Sequence, residues 1–206
     1  MELSAVAAIA EHHDLLVISD EIWADVVYPG TRHIPFASLS EETAARTVTA
    51  TAASKAFNLA GLRCAVAHVG DDELDKRIRE LPAHLLGGVS SPGAVATLAA
   101  WTGGAPWLDE TVSFLEAQRD HLTARLAEEL PEAIMSTPEA TYLAWVDLRA
   151  YGKGDDPAAW LLEHAKVALG SGPDFGEQGK GYARVNFATT RVVLDEIVDR
   201  LVRGLG

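Results

Sequence analysis

The sequence has almost no cysteine. Cys64 stands alone among 206 residues, so no internal disulfide can form, and the chain fits a reducing compartment. Basic charge is also scarce: 17 Lys and Arg face 30 Asp and Glu, for a net charge of −13. That balance argues against nucleic acid or an anionic membrane as the main partner, while leaving room for a local basic pocket that takes a small anion. No apolar run reaches the roughly 18 residues that a membrane span needs. The opening MELSAVAAIAEHHD has Glu2 where a secretion signal carries Lys or Arg. A soluble, cytoplasmic protein is expected. The seven histidines show no metal-ligand spacing, and no metal is expected.

What is present is enough apolar material for a core, 48% hydrophobic against 23% charged residues. Residues 3–12 have helical spacing, with Leu3, Val6, Ala7 and Ile9 apolar. LLVIS at 15–19 is a short continuous apolar run, the pattern of a strand buried on both faces in a parallel sheet. Residues 47–51 (TVTAT) and 63–69 (RCAVAHV) read as further strands. Asp71 and Asp72 provide cap material for a helix over 72–80, and another helix covers 91–102. Gly103, Gly104 and Pro106 then break the pattern.

The longest helix follows, about 106–130, with Leu108, Val112, Leu115, Leu122, Leu126 and Leu130 as a stripe that Arg119 interrupts and Pro131 ends. Beyond it come a strand at 141–147, a helix at 157–166 started by Asp155-Asp156-Pro157, a strand at 182–188 and a helix at 191–203. That last helix puts Val193, Leu194, Ile197, Val198 and Leu201 on one face. The reading is α/β followed by α+β, with residues 1–104 as one domain and 105–206 as the long helix plus a small domain. The glycine-rich stretch at 171–181, SGPDFGEQGKG, reads as a mobile loop sooner than as a phosphate cradle.

Three motifs carry chemistry. Ser19-Asp20-Glu21-Ile22-Trp23 closes the first strand, at the end where open α/β sheets bind ligands. Asp20 there is either a strand-ending cap or a carboxylate held beside a cationic partner. Ser54-Lys55-Ala56-Phe57 through Gly61-Leu62-Arg63 follows the second strand. Lys55 is either a solvated charge or a nucleophilic amine, and the flanking hydroxyl and guanidinium suit a phosphate. Tyr182-Ala183-Arg184-Val185-Asn186-Phe187-Ala188 places Arg184 in a strand, as a surface ion pair or a carboxylate grip.

S-D-E-I-x-x-D followed some thirty residues later by S-K-x-F-x-x-x-G-x-R resembles the class I/II aminotransferases and their relatives, the fold-type I pyridoxal phosphate (PLP) enzymes. The resemblance implies the C-terminal part of the PLP-binding large domain followed by an α+β small domain. It implies PLP as cofactor, with Lys55 carrying it and acting as base, and Asp20 on its ring nitrogen. Ser54 and Arg63 would lie on its phosphate, and Arg184 on the substrate α-carboxylate. Trp23 departs from the family's usual Tyr, which bonds the cofactor's phenolic oxygen, and Ala52 stands where a phosphate-binding Ser is common. Trp23 can donate only through its indole N–H.

Trp23-Ala24-Asp25, His33-Ile34-Pro35-Phe36 and Thr141-Tyr142-Leu143-Ala144-Trp145 are similar to the MalY/PatB type, the cystathionine (cysteine-S-conjugate) β-lyases. That implies a small-molecule amino-acid substrate and a homodimer in the full-length form. An aminotransferase of the same fold and a non-catalytic relative are the alternatives. The resemblance covers the whole chain but only the later half of the family. The arm, the glycine turn, the aromatic and the Asn that also hold the cofactor fall outside it, so the chain alone is expected to bind PLP poorly.

Overall fold

The computed structural model describes residues 2–206, apart from the side chains of Ala83 and Leu86. The chain divides at Asp109/Glu110 into two units, each described by itself below.

In the first unit, α1 (Glu2–His12) leads to β1 (Val17–Asp20). The chain then passes through a 3-10 turn (Phe36–Ser38) and α2 (Glu41–Ala45) before β2 (Thr47–Thr51). α2 is short, but Ser40 caps it, its Oγ accepting the Thr43 N–H at 3.0 Å. β1 and β2 run parallel, from Val17 opposite Thr47 to Asp20 opposite Ala50. β3 (Val66–Val69) returns antiparallel to β2, with Val66 opposite Thr51. α3 (Asp72–Arg79), α4 (Ala83–Leu86) and α5 (Ser91–Gly103) follow. The Asp71 and Ser90 side chains cap α3 and α5.

Two sequence expectations change here. The run 15–19 suggested a strand buried on both faces, yet Ile18 is 74% exposed. β1 has β2 as its one strand neighbour in the sheet, and no described residue lies over Ile18. A continuous apolar run reports what a strand would bury if covered on both sides; it does not supply the cover. α1 behaves alike: Leu3, Val6 and Ile9 are exposed and only Ala10 is buried. The third strand also starts later than residue 63. Arg63 has φ +50° and closes a 3-10 turn over Ala60–Leu62, a conformation a strand cannot contain.

α6 (Ala105–Glu129) continues into the second unit. There β4 (Ile134–Met135), β5 (Leu143–Asp147), β6 (Gly170–Ser171) and β7 (Tyr182–Asn186) form an antiparallel sheet in the order β4-β5-β7-β6. α7 (Pro157–Ala165) and α8 (Arg191–Leu205) complete it. Strand alternation sends Ala144, Val146, Ala183 and Val185 inward, and they are buried with Phe187, Leu122, Leu161, Leu194, Val198 and Leu201. Each large side chain so buried contributes roughly 1.5–3 kcal/mol of transfer free energy. α7 meets α8 at Gly204, where an added Cβ would press on Leu161 and Ala165 at 2.9 Å, and the Trp160 indole N–H donates to the Gly204 carbonyl at 3.2 Å.

In α6 the slot that Arg119 seemed to interrupt belongs to Gln118. It is 1% exposed, and its amide donates to the Thr189 carbonyl at 2.6 Å. Arg119 turns out to Glu116, Asp120 and the Pro138 carbonyl. In α8 the buried face is Leu194, Val198, Leu201 and Leu205, with Val193 left 48% exposed.

Candidate functional site

The two first-unit motifs converge on one edge of the three-stranded sheet. Asp20 is the last residue of β1 and lies opposite Ala50 of β2. Because β1 and β2 are parallel, the segment leaving β2 starts beside Asp20, and Lys55 lies four residues past Thr51 in that segment. Because β3 is antiparallel, its start lies beside the end of β2, and Arg63 stands three residues before that start. Two parallel strands and one antiparallel return therefore bring Asp20, Lys55 and Arg63 to the same C-terminal edge of β1 and β2.

The Lys55 segment is firmly rooted. Ala52, Ala53 and Ala56 are at most 3% exposed, and the Phe57 N–H closes a helical turn on the Ala53 carbonyl at 3.0 Å. The Phe57 ring stacks on Trp107 at 5.6 Å between centroids. Lys55 itself is half-buried. Its Nζ stands 5.5 Å from the centre of the Trp23 ring, and it has no carboxylate partner among the described residues. Asp20 Oδ1 accepts the Ile22 N–H at 3.1 Å, a local turn that leaves carboxylate capacity unused. Arg63 has no ion pair among the described residues either, and both Asp20 and Arg63 are exposed.

Glu21 is the residue that the sequence reading passed over. It is 8% exposed, whereas Asp20 beside it is exposed. Its carboxylate accepts from Ser19 Oγ at 3.0 Å, from the Phe36 N–H at 3.0 Å and bonds His33 Nε2 at 2.9 Å. Its own N–H donates to the Ala50 carbonyl at 2.8 Å. Burial pushes the Glu21 carboxyl up, but the hydrogen bonds from His33, Phe36 and Ser19 together outweigh it and hold the group below the ordinary glutamate value. Glu21 thus ties the 20–36 connection, which carries Trp23, to the end of β1. The His33 ring serves Glu21. No short sequence pattern announces this, because the partners lie 12 and 15 residues away.

This donor set suits a group with an aldehyde, a phosphate and a basic ring nitrogen. It offers one amine without an anion, a hydroxyl at Ser54, a guanidinium at Arg63 and a carboxylate at Asp20. No group of three or more His, Cys, Asp or Glu among the described residues could hold a metal ion. Among the described residues, no helix is long and apolar enough to cross a membrane.

Arg184 lies in the second unit, in β7, opposite Trp145 of β5 and Gly170 of β6. Its guanidinium carbon stands 4.7 Å from the centre of the Phe175 ring. It too lacks a carboxylate partner among the described residues.

The family model for aminotransferase class I and II matches residues 1–201. The chain belongs to that family. Cystathionine beta-lyase PatB of Bacillus subtilis is 35% identical over 206 residues, covering 99% of this chain and 53% of the relative. Protein MalY of Escherichia coli is 32% identical over 209 residues, covering 99% and 52%. The PLP-bound C-S lyase from Staphylococcus hominis superposes with a TM-score of 0.90 at 32% identity, covering 99% of this chain and 53% of that one. The fold is that of the PLP fold-type I aminotransferases and C-S lyases. The chain spans about half the length of the relatives it matches.

Proposed function

We propose that the chain is part of a PLP-dependent carbon–sulfur β-lyase acting on cystathionine or related cysteine S-conjugates, giving thiol, pyruvate and ammonia. The observation that carries this reading is the placement of Lys55: an amine without a counter-ion, over an indole, at the sheet edge shared with Asp20 and Arg63. The names of PatB and of the S. hominis lyase support the reaction class. Trp23 supports a lyase over transamination, since it lacks the hydroxyl the family's usual Tyr offers.

The cofactor is pyridoxal 5'-phosphate, which supplies an electron sink for the carbanion left when the substrate Cα–H bond breaks. Lys55 Nζ would hold the cofactor through its aldehyde carbon and, once freed, would be the general base placed to take the Cα proton. The Asp20 carboxylate would accept a charge-assisted hydrogen bond from the protonated ring nitrogen. Ser54 Oγ and Arg63 would hold the phosphate, with the Trp23 indole beside the lysine. Arg184 takes the substrate α-carboxylate through its paired N–H donors. The reading extends to a cytoplasmic homodimer at the length of its relatives.

The test is incubation with cystathionine at that length, without any keto-acid acceptor. Pyruvate is expected. Turnover only when a keto acid is added would replace the lyase with an aminotransferase, and Lys55→Ala with unchanged turnover would remove Lys55 from the site.

A further inference from the structure

The glycine-rich stretch 171–181 plays no part in the proposed chemistry, yet its architecture is built. It is not loosely arranged. Two 3-10 turns, Gly172–Phe175 and Glu177–Gly179, fold back so closely that a Cβ on either Gly172 or Gly179 would run into the other's carbonyl oxygen. The Gly181 N–H donates to the Asp155 carbonyl at 2.8 Å, and the Ser171 hydroxyl donates to Asp156 at 2.9 Å. This built turn displays a large apolar ring, Phe175, 53% exposed. The ring does not serve the core. It stands under the Arg184 guanidinium at 4.7 Å and meets Trp145 edge-on at 5.2 Å. Trp145 is in turn stacked on Tyr182 at 5.4 Å. On the neighbouring strand, a Cβ at Gly170 would sit 3.1 Å from Arg184 Cβ and 3.2 Å from its Nε.

We propose that this turn is a positioning device for Arg184: Phe175 gives the guanidinium a ring face to lie on, and the bare backbone of Gly170 leaves the space its stem occupies. The logic follows from what the cation lacks. An arginine in a strand is ordinarily oriented by a protein carboxylate, but a carboxylate would compete with an incoming anion. An aromatic face orients the guanidinium through the ring quadrupole and leaves its N–H donors, which point along the guanidinium plane, free for a bidentate anion. The ligand class is therefore a monocarboxylate. Naming it rests on the reading of Arg184 as the α-carboxylate grip; the positioning of Arg184 by Phe175 and Gly170 does not.

The full 206-residue chain, labelled with 15N, provides the test. Arg184→Lys identifies the Arg184 Nε–H resonance by removing it. In the wild-type chain the heteronuclear NOE at that Nε is expected to be high. Phe175→Ala should lower it, Phe175→Tyr should preserve it, and Gly170→Val should lower it with Phe175 intact. Phe175 is half-exposed, so its variants leave the core alone, and the remaining amide spectrum shows whether all the variants, Gly170→Val included, fold. Sodium propionate should shift the wild-type Nε–H. Its affinity should fall about two- to fivefold in Phe175→Ala, the factor equivalent to one cation–π contact at a partly exposed site. An unchanged Nε NOE in both Phe175→Ala and Gly170→Val overturns the positioning proposal. A wild-type Nε–H that ignores propionate overturns the carboxylate reading of Arg184, and the NOE comparison then decides the positioning by itself.

Discussion

His33 Nε2 lies 2.9 Å from the Glu21 carboxylate, and this pair fastens the connection that carries Trp23 to the strand end that carries Asp20. Glu21 also accepts from Ser19 and Phe36, so its removal leaves buried donors unsatisfied. Glu21→Ala should cost about 1–3 kcal/mol in denaturant unfolding, whereas a substitution at exposed Asp25 should change little. An unchanged midpoint for Glu21→Ala would show that the connection is held elsewhere.

The same residue gives a signed pH dependence. Its folded pKa lies below the ordinary glutamate value, so its stabilisation is present above that value and lost as pH falls through the lower, folded one. Unfolding midpoints of the wild-type chain should drop through that acid range more than those of Glu21→Gln. Parallel curves would contradict the assignment.

In the second unit Leu122 is completely buried and Leu162 is 53% exposed. Leu122→Ala should destabilise by about 2–5 kcal/mol, and Leu162→Ala by well under 1 kcal/mol. Gln118→Ala should fall between them, because it leaves the Thr189 carbonyl without its donor. Thermal denaturation of the three variants ranks them, and a Leu162 effect as large as that of Leu122 would put the core in the wrong place.

The exposed apolar side chains of the first unit make the chain adhesive in water. Ile18 is 74%, Val95 69% and Leu98 64% exposed. The 206-residue chain should bind a hydrophobic dye and self-associate, and Ile18→Glu should reduce both. With Asp20 and Arg63 also exposed, PLP should be lost from the chain on gel filtration. A monomer that ignores the dye and retains stoichiometric PLP would refute this.

The local features were legible in the sequence. β2 occupies residues 47–51 as its β-branched run suggests, Asp71 and Asp156 cap helices as short-range hydrogen bonding requires, and the Asp20, Lys55, Arg63 and Arg184 motifs are short strings. What was not legible depends on partners far along the chain. The two-residue strands β4 and β6 exist only because β5 and β7 pair with them. Glu21 gains its role from His33 and Phe36, and Gln118 from Thr189. The exposure of Ile18 could not be read from its apolar neighbours, since burial depends on what covers a strand. The 171–181 stretch read as mobile because glycine permits freedom, while here Gly172 and Gly179 serve close backbone approach.

The central claim is that Lys55 is the cofactor lysine. Lys180 pairs with Asp155 and Glu177, Lys166 donates to the Glu163 carbonyl, and Lys76 is in the last turn of α3. Lys153 also lies over an indole, that of Trp160, but it belongs to the second unit, whereas Asp20 and Arg63 share the first unit's sheet edge with Lys55. Borohydride reduction in excess PLP, followed by peptide mass spectrometry, traps even a weakly held adduct. The pyridoxyl label is expected on Lys55 ahead of Lys76, Lys153, Lys166 and Lys180. Labelling spread evenly over all five, or concentrated on another of them, would contradict it.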